Sequence, residues 1–122
     1  MAERTKNYDI SRSDSGTIPL MTVQGKITLG EGSRELRCAI ERIAADGGRH
    51  VILDLAGVVY VDSSGLGSMI AGYNAMRARG GAVALVNVPK RVAELLSMSG
   101  LTGLLRIFPT KEEAARHFQT GE

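Results

Sequence analysis

The chain has 122 residues, 43% of them hydrophobic but only 4% aromatic, and its formal net charge is +2. This size predicts one domain over residues 1–122, with a mostly aliphatic core over about residues 8–118. The few aromatic residues, and basic residues interspersed with acidic ones, argue against a nucleic-acid binder, which needs stacking platforms or clustered positive charge.

Redox and targeting features are sparse. Cys38 is the only cysteine, so the sequence predicts neither an internal disulfide nor a zinc cluster. No apolar run reaches the roughly 20 residues that a membrane-spanning helix needs, so we expect no membrane insertion. The amino terminus lacks the apolar segment of a secretory signal, and a cytoplasmic location is therefore the expectation.

The first predicted elements form an amino-terminal β-hairpin. Residues 8–12 and 17–24 are the predicted strands, and residues 14–16 carry the turn signal. Pro19 has no N–H donor and favours an edge position or an irregularity. After a transition, a helix is expected from about residue 32 or 33 to 46, with an apolar face made by Leu36, Ala39, Ile40 and Ile43.

The central segment begins with residues 51–55, an aliphatic run typical of a strand buried on both faces. A second apolar run, residues 58–61, leads to the polar Asp62, Ser63 and Ser64, residue types that suit a helix start. The helix that follows, ending near residue 79, has an apolar stripe at helical spacing made by Leu66, Met69, Ile70, Tyr73 and Met76.

The last third of the chain continues the alternation. Residues 82–86 and 106–108 are predicted strands, a helix lies between them, and Thr110 with Glu113 forms a capping box before the last helix. The order β-β-α-β-α-β-α-β-α predicts an α/β fold. We expect a mixed, mostly parallel sheet with about four helices and an amino-terminal hairpin.

Several catalytic patterns are incomplete. Gly65-Leu66-Gly67 resembles a dinucleotide fingerprint but has Ile70 where the third glycine belongs, and no Gly-Lys-Ser/Thr forms a P-loop. Ser64 lacks the preceding glycine of a nucleophile elbow. His50 and His117 have no partners at metal-ligand spacing, and we predict no metal and no cofactor. A small hydrolase that uses Ser64 and a histidine stays open as an alternative.

The Asp62-Ser63-Ser64 cluster has two interpretations. Asp and Ser are ordinary helix caps, and a capping role alone would account for them. Gly65 and Gly67, however, would let another backbone approach the hydroxyl closely. A phosphate on that hydroxyl would face the free N–H groups and the positive dipole end of a helix.

The run of residues 53–67, Leu-Asp-Leu-Ala-Gly-Val-Val-Tyr-Val-Asp-Ser-Ser-Gly-Leu-Gly, resembles the signature of STAS domains, in particular of bacterial anti-sigma factor antagonists. That family has a strand ending in Asp-Leu, a loop, and then Asp-Ser-Ser-Gly-(Leu/Ile). The resemblance extends over roughly residues 8–118. It includes the hairpin, Gly80-Gly81 before a strand, and the Val92-Leu95-Leu96 pattern before Gly100.

This resemblance implies a binding protein rather than an enzyme. Family members bind an anti-sigma factor that is also a serine kinase with a GHKL-type ATP fold, and thereby free the sigma factor. Carried over, Ser64 is the phosphorylation site that switches binding off, and a PP2C-type phosphatase restores binding. Asp62, Ser63, Gly65, Leu66 and Gly67 are the motif residues expected to contact the partner. STAS domains also serve in lipid-transport and stressosome-type complexes, which are the alternative.

Overall fold

The computed structural model describes residues 7–101 and 103–119, and its elements follow the chain in the predicted order. The strands and helices are β1 Tyr8–Ser15, β2 Ile18–Ile27, α1 Glu31–Ala45, β3 His50–Val61, α2 Ser63–Arg77, β4 Ala82–Val86, α3 Lys90–Met98, β5 Arg106–Phe108 and α4 Lys111–Gln119.

The five strands form one sheet in the order β1-β2-β3-β4-β5. β1 and β2 pair antiparallel as a hairpin, and every later pairing is parallel. The predicted α/β class, the mixed and mostly parallel sheet and the amino-terminal hairpin are therefore confirmed. Because parallel strands end at one edge of a sheet, the helices that follow β2 and β3 both begin at that edge.

The two faces of the sheet carry different helices. Side chains of α1, α2 and α3 pack with Val51, Leu53 and Leu85 on one face. On the other face α4 packs through Ala114, Ala115 and Phe118, against strand residues that include Ile52 and Ala84. Neighbouring strand residues point to opposite faces, which explains why β3 and β4 are apolar at consecutive positions.

β3 is longer than the sequence predicted. The prediction separated residues 51–55 from the apolar run 58–61, but His50–Val61 is one strand of 12 residues. Its pairing with β2 shifts twice, between Thr22 and Gln24 and between Gly25 and Lys26. Each shift inserts one extra residue into β3, so Leu55, Val58 and Val61 all face the same core. Because of these two insertions, the buried residues of β3 do not follow a regular period of two, and the sequence pattern does not predict the whole strand.

Pro19 occupies a position that is paired on one side only, in agreement with the expected edge position. β2 as a whole is an inner strand between β1 and β3. Pro19 pairs with Asp14 of β1, whereas the pairing of β2 with β3 begins only at Leu20. The proline is tolerated because it lies at the end of β2, beyond the residues bonded to β3.

α1 and α2 pack closely against each other and together set the geometry of the site. A side chain at Gly72 of α2 would place its Cβ only 2.6 Å from Cδ1 of Ile40 on α1. Nearer the start of the helices, the buried Ser68 hydroxyl donates a hydrogen bond to the Ser33 carbonyl oxygen at 2.6 Å. The two helices thus run side by side with their amino termini at the same edge of the sheet.

Candidate functional site

Asp62 caps α2, as the sequence predicted. Its carboxylate accepts a hydrogen bond from the Gly65 N–H at 2.9 Å and another from the Leu29 N–H at 3.0 Å. The hydrogen bond from Gly65, helped by that from Leu29, holds the pKa of Asp62 below its ordinary value. Asp62 therefore carries a negative charge at neutral pH and ties the start of α2 to the loop after β2.

The two serines follow the cap at the first two positions of α2. Ser63 is exposed, whereas Ser64 is half-buried. In addition, the Ser64 carbonyl oxygen lies 3.1 Å from the Ser68 hydroxyl one turn later. The α-helix fixes the two serine side chains about 100° apart around its axis, so they face different surroundings.

The two motif glycines have different roles. A Cβ at Gly65 would lie 2.3 Å from the Ile27 carbonyl oxygen and 2.7 Å from Cγ1 of Val61. Glycine is therefore needed there for α2 to begin directly against the ends of β2 and β3. Gly67 is exposed, and a Cβ at that position would meet no atom within 4 Å. Gly67 borders open space in front of Ser64.

A groove of about 610 Å³ lies on the Ser63 side of the motif, between the end of β3 and α3. We call it the apolar groove; its lining includes Val59, Tyr60, Ser63, Leu66, Leu95 and Met98. Three of these apolar side chains are unusually exposed, Val59 by 66%, Tyr60 by 48% and Met98 by 85%. Clustered exposed apolar residues of this kind mark protein-interaction surfaces.

A second depression, of about 600 Å³, lies on the Ser64 side of the motif, between α2, α1 and the loop after β2. We call it the arginine cleft; its lining includes Leu29, Gly30, Arg34, Arg37, Ser64 and Gly67. Leu29, on the rim, is 81% exposed. Ser63 and Ser64 thus open onto two different surfaces, one apolar and one cationic.

The structure brings all six predicted site residues together around the start of α2. Asp62, Ser63 and Leu66 line the apolar groove, Ser64 and Gly67 line the arginine cleft, and Gly65 packs beneath them. Sequence reasoning missed the arginines and the exposed apolar residues. Arg34 and Arg37 precede Ser64 by 30 and 27 positions, and no local pattern in the sequence connects them to it.

The histidines lie elsewhere. His50, at the opposite end of β3 from Asp62, stacks on Phe118 of α4 with ring centroids 4.3 Å apart. His117 contacts Arg106 and Phe108. Neither histidine lines the apolar groove or the arginine cleft, so the structure does not bring together the Ser64–histidine pair that the hydrolase alternative requires.

Within residues 7–101 and 103–119, no three His, Cys, Asp or Glu side chains are grouped so as to hold a metal ion. None of the helices there has the length and apolar character needed to cross a membrane.

The fold and the site define a small α/β domain that presents a capped helix start between two surface depressions. A sequence profile of the STAS domain matches residues 10–114, most of the chain. The chain belongs to the STAS domain family, which confirms the resemblance found in residues 53–67.

Similar proteins include named regulators. An anti-sigma F factor antagonist from Paenibacillus polymyxa is 35% identical over 65 residues, which span 53% of this chain and 56% of that protein. A solved anti-sigma factor antagonist from Mycobacterium paratuberculosis has a TM-score of 0.76 and 21% identity, covering 90% of this chain and 92% of that one. The Bacillus cell fate determinant SpoIIAA, solved in its phosphorylated form, has a TM-score of 0.70 and 17% identity, covering 88% and 98%. At such identities the two structures establish the fold.

Proposed function

We propose that this chain is an anti-sigma factor antagonist that binds its partner through the surface around the start of α2. The observation that carries the proposal is the position of Ser64, half-buried in the first turn of α2 between the arginine cleft, whose rim carries the exposed Leu29, and the apolar groove that the neighbouring Ser63 lines. Val59, Tyr60, Met98 and Leu29 together supply the apolar contact area that a protein interface needs at its centre. The name of the Paenibacillus polymyxa relative supports the class of partner.

The proposed switch is phosphorylation of Ser64 by the partner. An anti-sigma factor with GHKL-type kinase activity transfers the γ-phosphoryl group of ATP to the Ser64 oxygen; ADP leaves and a kinase base takes the hydroxyl proton. A PP2C-type phosphatase hydrolyses the phosphoserine and restores the antagonist. The solved phosphorylated form of the Bacillus relative supports a modification of this kind.

The physical basis of the switch is the cost of burying a phosphate at an interface. Phosphorylation adds a charge of about −1.5 to −2 at a side chain that the partner would cover. Desolvation of this charge and the bulk of the phosphate both reduce the free energy of binding. Each 1.4 kcal/mol or so of binding free energy that is lost weakens the affinity tenfold. Ser64 lies in the first turn of a helix capped by Asp62, so the fold is not expected to rearrange.

The first test is incubation with the GHKL-type kinase of the source genome and ATP, followed by peptide mass spectrometry. We expect one added phosphate on Ser64, none on the Ser64→Ala variant, and full modification of the matched Ser63→Ala control. Phosphate that persists in Ser64→Ala would refute the assignment of the site.

The second test measures binding of the same kinase by calorimetry. Ser64→Asp should weaken binding by about tenfold or more, since even one negative charge at the interface costs on the order of 1.4 kcal/mol. Ser64→Ala, which adds no charge, should bind like the unmodified chain. Equal affinity for Ser64→Asp and Ser64→Ala would argue against a charge switch. Large NMR chemical-shift changes far from α2 on phosphorylation would contradict a switch that is confined to the interface.

A further inference from the structure

The arginine cleft joins two elements that are distant in sequence. Arg34 and Arg37 are one turn apart on α1, which places them on the same side of that helix, and both are exposed. Both line the depression that Ser64 lines from α2. The hydroxyl proposed for modification therefore shares a cleft with two guanidinium groups, which suit phosphate because they present several N–H donors in a planar fork.

The charge of the cleft is one-sided. Its described lining contains Arg34 and Arg37 but no acidic side chain. On α1, Glu31 and Glu35 are close to Arg34 in sequence but are outside the lining of the cleft. The carboxylate nearest to Ser64 in sequence is that of Asp62, whose oxygens already accept hydrogen bonds from two backbone N–H groups. A phosphate on Ser64 would lie two residues from this anion, and cations on the other side of the cleft would offset their repulsion.

The cleft also has room for the group. Neither Gly30 nor Gly67 would place a Cβ within 4 Å of another atom, so both borders of the cleft are open. Its volume of about 600 Å³ exceeds many times the ~30 Å³ share of one liquid water molecule. The exposed side chains of Arg34 and Arg37 therefore have space in which to reorient toward a phosphate.

We propose that Arg34 and Arg37 bind the phosphate of phosphorylated Ser64, so that the domain itself holds the modified side chain in the arginine cleft. This inference rests on the proposed modification of Ser64. Phosphorylation then has two effects: it adds charge to the partner-binding surface and it joins α1 to the start of α2. Ser63 opens onto the apolar groove, whose lining contains a single arginine, Arg91, rather than a pair.

The test uses phosphoserine installed at position 64 during synthesis by an expanded genetic code, so that no kinase is needed. The pH midpoint of the phosphate signal is followed by ³¹P NMR. Arginine contacts favour the dianion, and we expect the midpoint about half a pH unit lower than for phosphoserine at position 63. Arg34→Gln/Arg37→Gln should remove most of this difference. The charge-matched Arg42→Gln/Arg79→Gln variant, altered at exposed arginines outside the cleft, should keep it.

The outcomes distinguish a phosphate that the two arginines bind from a phosphate that the helix terminus alone stabilises. A lower midpoint that survives Arg34→Gln/Arg37→Gln would overturn the proposal, because the helix terminus alone would then account for it. Equal midpoints at positions 63 and 64 would overturn it as well. Circular dichroism of the unmodified double variant checks that the fold is intact. Failure of the kinase to modify Ser64 would refute the proposed function and leave this measurement unaffected.

Discussion

The Asp62 carboxylate accepts a hydrogen bond from the backbone N–H of Leu29, 33 residues earlier in the chain, at a distance of 3.0 Å. The same carboxylate caps α2 through the Gly65 N–H. One side chain therefore fixes the helix start that carries both serines and the loop that forms one border of the arginine cleft. Substitution of Asp62 should therefore perturb both the start of α2 and the loop after β2.

Asp62→Ala should lower the free energy of unfolding by about 0.5–2 kcal/mol, the usual cost of removing a helix cap. Urea denaturation at pH 7 measures this change. Because hydrogen bonding lowers the pKa of Asp62, its stabilisation is present above the unfolded-state pKa and is lost as the pH falls through the folded-state value. The difference in unfolding free energy between the native chain and Asp62→Ala should therefore disappear in acid. A difference that stays constant down to about pH 2 would contradict an ionised cap.

The motif glycines offer a matched pair of variants. Gly65→Ala forces a Cβ to within 2.3 Å of the Ile27 carbonyl oxygen, and we expect it to destabilise the fold by more than about 1 kcal/mol. Gly67→Ala meets no atom within 4 Å and gains helix propensity, so it should stabilise by up to about 1 kcal/mol. Thermal unfolding of both variants distinguishes the two roles. Equal shifts in the same direction would mean that the packing of Gly65 has been misjudged.

His50 should make stability depend on pH. Burial, with smaller contributions from Arg49, Arg106 and His117, lowers the pKa of His50 below its ordinary value. The unfolded chain therefore binds the proton more readily, and stability is greatest above about pH 6.5 and falls as the pH drops below it. Denaturation at pH 8 and pH 5.5 measures the loss, which His50→Phe should reduce.

His50→Phe is a conservative probe of this effect. Phenylalanine can keep the stacking on Phe118, and the Ala82 N–H, which donates to Nδ1 of His50, retains the Arg49 carbonyl oxygen at 3.1 Å. The variant thus removes the titrating group with little change in packing. An unchanged difference between pH 8 and pH 5.5 would assign the dependence to other groups.

If the partner binds through the apolar groove, substitutions in the groove should lower the affinity for the partner without lowering the stability of the fold. Tyr60→Ala or Met98→Ala should weaken binding of the anti-sigma factor by about fivefold or more, as expected for an apolar side chain at the centre of an interface. Both side chains are exposed in the free protein, so the unfolding free energy should change little. Ile107 on β5, 43% exposed, provides the control, and Ile107→Ala should leave affinity unchanged. Loss of affinity only in Ile107→Ala would place the interface elsewhere.

The sequence alone determined the order of the elements and the start of α2. These features depend on neighbours within one or two turns of the chain. The Thr110 hydroxyl, for instance, accepts a hydrogen bond from the Glu113 N–H at 3.2 Å, the first half of the predicted capping box. The Asp62 cap depends on the same short-range geometry. Such contacts are set by spacing along the chain and can be predicted without knowing the rest of the fold.

Only the tertiary structure decided the length of β3 and the surroundings of Ser64. The two extra residues in β3 are accommodated by its register with β2, which no pattern within β3 records. Arg34 and Arg37 lie in the same cleft as Ser64 because β2 and β3 are parallel and the helices after them begin at one edge of the sheet. Pairing between distant segments, rather than local preference, creates the cationic surface in front of Ser64.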